Sequence, residues 1–494
     1  MQYGFLIDHH RCIGCHACTV ACKSENEVPV GDFRTWVKYT EIGTFPQVKR
    51  HFAVLRCNQC TSAPCVTICP VTALSKRKDG IVDLDKDACI GCKACMQACP
   101  YDALYLNEDT GGAEKCHFCA HRVEQGLKPA CEIVCPTEAI VSGDLHDENS
   151  KVSRMKREHA GVARRPEQNT GPNVFYLGMD PVSLHPGRAA EPNTYLWSDR
   201  RYPPPPYPEG SIDLAPNARV VLDADHKLHW GWRVDLYLVT KGIAAGAGML
   251  APFADVLGLT GAALAYLPEL LALVFTTLTC LLLVTDLKRP MLFFRLLTRP
   301  NTKSWLVKGG WVLSGFMGAA FVGVVARFFG ADAIADAARW ALLPLGGATA
   351  GYTAWLFAQC EGRDLWQNKA VLLPHLLAQA LLLGAVGLLA SAPSPALRGL
   401  AALAFLAHLA GVALEVYGRH HTDNSKQAAA LLRVVKAWPG ARVPAAGLST
   451  LVGAAGLLVL LVPALAFAAA PIFIVSVFLW ERAYIRAGQL PPLS

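Results

Sequence analysis

Charge is what this sequence lacks most. Only 17% of its 494 residues are Asp, Glu, Lys or Arg, against 52% hydrophobic, whereas a soluble globular protein carries about a quarter charged residues. Disorder, collagen and a lone soluble enzyme are excluded. The first thirty residues have no basic stretch leading into an apolar core and no twin arginine, so no secretory signal of the chain's own is expected. No GxxxxGK[ST] or strand-embedded GxGxxG loop occurs, which removes the usual nucleotide cradles. The net charge of +7 sits mostly in loops flanking apolar runs, so no nucleic-acid partner is expected.

The composition is uneven. Residues 1–190 are rich in charge and Cys, with a strand expected within 173–184. Residues 191–233 read as a linker stiffened by Pro203-Pro204-Pro205-Pro206. Residues 234–494 consist of Leu, Ala, Val and Gly in runs long enough to cross a bilayer. Eight membrane helices are expected, at about 235–256, 261–286, 305–328, 338–360, 371–391, 397–418, 445–462 and 466–484, the last two divided near Pro463 and Pro471. An even number puts both ends of the membrane region on one face. That face carries Lys288, Arg289, Arg295, Arg299, Lys303, Arg363, Lys369, Arg419, Lys426, Arg433, Lys436, Arg442, Arg482 and Arg486, against Arg327, Arg339 and Arg398 opposite. The positive-inside rule then places the Cys-rich region on the cytoplasmic face of a bacterial cytoplasmic membrane. The alternative is that these bases dock an acidic partner or anionic lipid.

Sixteen of the 18 cysteines lie between Cys12 and Cys135, in four groups. Cys12, Cys15, Cys18 and Cys22 are spaced C-x2-C-x2-C-x3-C, and Cys89, Cys92, Cys95 and Cys99 repeat this. Cys57, Cys60, Cys65 and Cys69 are spaced C-x2-C-x4-C-x3-C; Cys116, Cys119, Cys131 and Cys135 are spaced C-x2-C-x11-C-x3-C. Three groups end in Cys-Pro, at Pro70, Pro100 and Pro136; Lys23 stands in the fourth such place. This is the bacterial ferredoxin signature and predicts four [4Fe–4S] clusters. Short gaps wrap a loop around three irons, and the cysteine after the x3 gap is expected to start a helix leading to a neighbouring cluster. Isolated CxxC pairs for zinc and disulfides match poorly. The c-type haem pattern Cys12-Ile13-Gly14-Cys15-His16 overlaps a complete ferredoxin group and reads as coincidence.

On these motifs residues 1 to about 190 resemble the four-cluster electron-transfer subunit of the complex iron–sulfur molybdoenzyme family. The resemblance implies that the first group pairs with the fourth and the second with the third. Cys12, Cys15 and Cys18 would share a cluster with Cys135; Cys116, Cys119 and Cys131 with Cys22; Cys57, Cys60 and Cys65 with Cys99; and Cys89, Cys92 and Cys95 with Cys69. Residues 234–494 resemble an NrfD-type membrane anchor through KGIAAG (241–246), DLKRP (286–290), RPNTKSW (299–305) and AGQLPPLS (487–494). The fold class implied is an α+β, bis-ferredoxin-like iron–sulfur domain followed by an all-α polytopic membrane domain of about eight helices.

No pair of histidines stands out at haem-binding depth, so electrons would pass between the last cluster and a quinone, menaquinone or ubiquinone. Ionisable groups inside a bilayer default to functional candidates. Asp235, Tyr237, Lys241, Asp286 and His375 are candidates for the quinone site, and His408 and Glu415 for proton transfer. The bland alternatives are a snorkelling Lys241, an Asp286–Arg289 pair and histidines bonding across helices. The protein would be non-catalytic toward the terminal substrate. It would partner a large molybdopterin or tungstopterin subunit, with sulfite or formate oxidation favoured by the cytoplasmic assignment. The alternatives are an exported quinol-dependent reductase of polysulfide, thiosulfate, tetrathionate or arsenate, and a redox-sensing membrane transporter.

Overall fold

The computed structural model describes residues 1–190, 214–225, 227–259, 266–392, 394–438 and 441–494; Pro203–Pro206 lie outside them. The cysteine-rich part is built on two small sheets. Tyr3–Asp8 runs antiparallel to Ile140–Asp144 and parallel to Val174–Leu177, the strand expected within 173–184. The hairpin Thr35–Thr44/Gln47–Arg56 gains a third strand from Ala218–Leu222. The end of the expected linker is therefore stitched into this sheet, with Asp223 accepting from Trp36 Nε1 at 3.1 Å and pairing with Lys38 at 3.1 Å.

The helical part has a helix at each of the eight expected places: Trp232–Leu250, Leu267–Asp286, Trp305–Phe328, Asp332–Ala358, Lys369–Leu389, Pro395–Tyr417, Ala445–Leu461 and Ala469–Gln489. Among the described residues, six helical segments are long and apolar enough to cross a membrane. Ala445–Leu461 falls just short at 17 residues, and Asp332–Ala358 opens with Asp332, Asp336 and Arg339. A 3-10 turn over Pro463–Ala468 divides the last two helices, while Pro471 sits in the first turn of the final one, where its missing N–H costs nothing.

One close crossing holds the first helix, Trp232–Leu250, against Lys369–Leu389. Gly246 of the KGIAAG stretch faces Gly384, and a Cβ at Gly246 would fall 1.8 Å from the Ala380 carbonyl oxygen. Small residues let helix backbones approach where lipid offers no hydrophobic drive. A single apolar core contains the second and third cysteine groups together with Trp230, Tyr237, Phe357, Trp366 and Trp480, so both halves of the polypeptide pack as one body.

Candidate functional site

The four cysteine loops share a local geometry that their spacing explains. In each, the residue before the second cysteine has positive φ: Gly14 (71°), Gln59 (46°), Gly91 (69°) and Phe118 (62°). A left-handed residue there curls the backbone so that its amides face inward. Glycine does this freely. Gln59 and Phe118 are held by burial: Gln59 Nε2 donates to the Cys116 carbonyl at 2.9 Å, its Oε1 accepts from Val82 N at 2.8 Å, and the Phe118 ring packs tilted against Phe5 with centroids 4.2 Å apart.

The fourth cysteine of a group does not start a helix, contrary to the expectation from spacing. The x3 gap is itself the helical turn. Pro64–Ile68 ends at Cys69 and Ala94–Ala98 ends at Cys99, both in extended conformation. Extended backbone is what a following proline demands, so Pro70 and Pro100 stop these helices. In the first group Lys23 replaces proline, and Ala17–Asn26 runs on through Cys22. After each Cys-Pro the third residue from the cysteine is left-handed, at Thr72, Asp102 and Glu138. The next residue's amide turns back on the sulfur: Ala73 on Cys69, Ala103 on Cys99, and Ala139 on Cys135 at 3.2 Å.

The thiols assemble across groups. Cys12 has Cys135 and Cys15 as charged neighbours, and Cys22 has Cys116, Cys131 and Cys119. Cys65 meets Cys99, Cys57 and Cys60; Cys95 meets Cys92, Cys89 and Cys69. These are the four sets that the resemblance implies. Contacts between sets give their order: Cys18 with Cys131, Cys57 with Cys116, and Cys95 with Cys65. The line therefore runs first, fourth, second, third. It starts near the surface, where Cys15 is exposed, and ends at Cys69, Cys89 and Cys95, which are buried. Burial pushes thiols up, Cys18 to about 12 against the pull of Arg56, so these sites favour a cationic occupant that offsets both burial and mutual repulsion. Among the described residues no three His, Cys, Asp or Glu side chains gather closely enough for a single metal ion. The donor set fits cubane clusters, in which each thiolate meets a different iron.

The third group's end docks on the helical part through three of the four stretches that carry the anchor resemblance. In DLKRP, the Lys288 and Arg289 amides donate to the Gly91 and Ile90 carbonyls, each at 3.3 Å, and Arg289 also bonds the Thr110 and Lys86 carbonyls. Asp286 pairs with Lys93 at 2.8 Å, not with Arg289 as one reading of the sequence had it. In RPNTKSW, Asn301 Nδ2 caps the Cys69 carbonyl at 2.8 Å and Ser304 Oγ caps that of Ile68 at 2.7 Å. In AGQLPPLS, Gln489 Oε1 accepts from Gln97 Nε2 at 2.8 Å, while Arg363 Nε donates to Gln97 Oε1 at 2.9 Å.

Inside the bundle the predicted residues divide. His375, His408 and Glu415 come together: His375 Nε2 and His408 Nδ1 are 2.7 Å apart, and Glu415 Oε2 is 3.1 Å from His375 Nδ1. The two histidines are joined directly to each other across helices, as the alternative reading of the sequence had it. Neither Glu415 oxygen has a partner in good hydrogen-bond geometry. Glu415 lines a cavity of about 410 Å³ with Asp364, Asn368, Arg419, His420 and Tyr484, at the junction with Glu167 and Gln168. Asp235 instead pairs with Arg482 at 3.3 Å. Lys241 does not snorkel: it is 2% exposed, bonds Thr353 Oγ1 and the Ala350 carbonyl, and lies 4.9 Å from the Tyr352 ring centroid. Tyr237 is buried in the core between the halves. Two residues missed by sequence reasoning link these parts. Gln379 lies 3.4 Å from His375 and bonds Glu481, whose charged neighbours include Glu415, Lys241 and Asp235. The isolated Glu in FLWERAY was the available signal.

Residues 48–145 match the 4Fe-4S dicluster domain family, and residues 220–396 match the family described as polysulphide reductase, NrfD. The sequence is 44% identical over 204 residues to the B subunit of tetrathionate reductase from Salmonella typhimurium, covering 40% of this protein and 80% of that one. It is 38% identical over 179 residues to the B component of polysulfide reductase from Wolinella succinogenes, covering 36% and 94%. It is 37% identical over 206 residues to the B subunit of sulfite dehydrogenase from Allochromatium vinosum, covering 37% and 86%. With cysteine loops that order themselves toward a helical bundle and dock on it, the protein belongs to the family of iron–sulfur electron-transfer subunits of molybdoenzyme-type reductases, continued in one polypeptide by an NrfD-type membrane anchor.

Proposed function

We propose that the sixteen cysteines of the four groups hold four [4Fe–4S] clusters and that the protein carries electrons between a separate molybdopterin or tungstopterin subunit and a quinone. The observation that carries this reading is the order of the thiol sets, from the exposed Cys15 to the third group seated on the membrane helices. When bound, the clusters supply a series of one-electron carriers. The protein aims backbone amides at Cys69, Cys99 and Cys135, excludes water from the inner sets and clamps the last one on the bundle.

The cavity beside Glu415 suits the quinone head group, being within the usual ligand-pocket range of about 300–1,000 Å³. It adjoins the 364–368 segment, next to Gly362 and Arg363, which pack on Gln97. Glu415 would exchange a proton with a bound carbonyl, with His375 and then His408 behind it. Lys241, Asp235 and Tyr237 form a second polar region, reached through Gln379 and Glu481. Asp286 serves docking.

The names of the reductase relatives favour quinol-dependent reduction of a tetrathionate- or polysulfide-like acceptor. Several of the bases on the cysteine-domain face have a structural use and so do not bear on orientation: Lys288 pairs with Glu108, Arg289 bonds the cysteine-domain backbone and Arg299 pairs with Asp85. Sulfite or formate oxidation on the cytoplasmic side of a bacterial membrane remains the second reading, supported by Arg419, Lys436 and Arg442, for which no such bond occurs among the described residues, and by the sulfite dehydrogenase relative.

The test is the complex extracted from native membranes in mild detergent. About sixteen irons per polypeptide, molybdenum or tungsten, a large partner and quinol-reducible clusters are expected. Full iron with neither metal nor partner overturns the assignment. A reporter fused in the 286–304 loop separates the two orientations.

A further inference from the structure

We propose that Arg56 is a shared counter-charge for the clusters of the first and fourth cysteine groups, raising the reduction potentials of both. Its guanidinium is completely buried. Nη1 donates to Cys131 Sγ at 3.2 Å, while Nε and Nη2 have no partner. No carboxylate pairs with it among the described residues. Its charged neighbours are Cys131 and Cys116 of the fourth group and Cys18 of the first, and it lies 4.4 Å from the centre of the Phe5 ring. Lys115, another buried cation, differs: its Nζ is taken up by the Val82 and Cys116 carbonyls.

A buried guanidinium with two idle nitrogens costs several kcal/mol of desolvation unless an anion faces it. The anions that face it are thiolates from two sets, and a thiolate-ligated cubane is itself an anion whose charge grows by one on reduction. A fixed cation between two such centres favours the reduced form of each and offsets their repulsion when both are reduced. The free Nε and Nη2 donors supply hydrogen bonds to cluster sulfur, a second influence of the same sign. Arginine suits the task because it cannot lose its proton. It exchanges no electron; it is a positioning charge.

This inference rests on the cluster assignment above, and the test separates the two. The full complex is titrated electrochemically with EPR detection of the clusters. Missing clusters in the wild-type complex would be a failure of the assignment, not of the role of Arg56. In Arg56→Gln, two of the four clusters are expected to show a reduced-to-oxidised ratio at least tenfold lower at fixed potential, a fall of 59 mV for a one-electron couple, with the other two unmoved. Unchanged potentials with full iron, or an equal shift in all four, would overturn it. Should Arg56→Gln fail to bind iron, Arg56→Lys decides. The retained charge is expected to hold both potentials near wild type, and a tenfold fall despite that charge refutes the proposal.

Discussion

The Lys93 ammonium, between Cys92 and Cys95, stands 2.8 Å from the carboxylate of Asp286 at the end of the second membrane helix. One ion pair ties the innermost cysteine loop to the bundle, and both partners are largely removed from solvent. Lys93→Met or Asp286→Asn alone is expected to cost roughly 2 kcal/mol, below the usual penalty for an unpaired buried charge because Asp286 keeps some solvent contact. The double variant Lys93→Met/Asp286→Asn is expected to recover most of the loss. Thermal melts of the detergent-solubilised complex report this, and purely additive losses would dismiss the coupling.

His375 lies between Glu415 and His408. If it relays protons for quinone chemistry, His375→Gln lowers quinol-driven cluster reduction by on the order of 100-fold. Dithionite-reduced spectra stay as in wild type, because no cysteine loop is touched. Stopped-flow absorbance with a soluble quinol analogue measures it. Wild-type rates in the variant would remove His375 from the route.

Gly246→Ala is expected to impair assembly. The added methyl would meet the Ala380 carbonyl and the Gly384 amide, which are backbone atoms unable to swing aside. Overpacking of this kind costs about 3 kcal/mol. Gly310→Ala is the control, since a Cβ there meets nothing within 4 Å. Yield and melting temperature of the two variants should diverge; equal behaviour would show that the crossing can open.

Glu114 takes hydrogen bonds from Arg34 (2.6 Å), Tyr105 (2.7 Å) and Asn107 (3.1 Å) and pairs with Lys86 at 3.1 Å. Burial pushes its carboxyl up, but these donors outweigh it and hold the group at about 2, against an ordinary 4.5. The folded value lies below the unfolded one, so its stabilisation is complete above about pH 4.5 and is lost as the pH falls toward 2. Glu114→Gln should be less stable than wild type at neutral pH, with the gap closing across that window. Denaturant titrations at stepped pH test the sign; a gap that widens on acidification contradicts it.

Much of the architecture was legible because its determinants are local. Cysteine spacing follows from the reach of a loop around a cubane, and the eight helices from runs of apolar residues broken by Gly, Pro and charge. The docking stretches were legible only as resemblances. Nothing in Asn301 or Gln489 announces that one caps the helix ending at Cys69 and the other clasps Gln97. Arg289, the partner offered as the alternative to a quinone role for Asp286, is three residues away, whereas Lys93 is nearly two hundred. Spacing alone does not show that the x3 gap holds a helical turn, so Cys69 and Cys99 end helices where the fourth cysteines were expected to open them.

By itself, then, the sequence determined which atoms can bind iron, which segments are apolar enough to enter lipid, and that both belong to one polypeptide. The tertiary structure decided the order of the cysteine sets, the pairing of His375 with His408 and Glu415, the cavity beside them and the isolation of Arg56. Ligand spacing and hydropathy are properties of short segments. Distance between charges, and whether water reaches them, depends on which segments the packed helices and loops bring together.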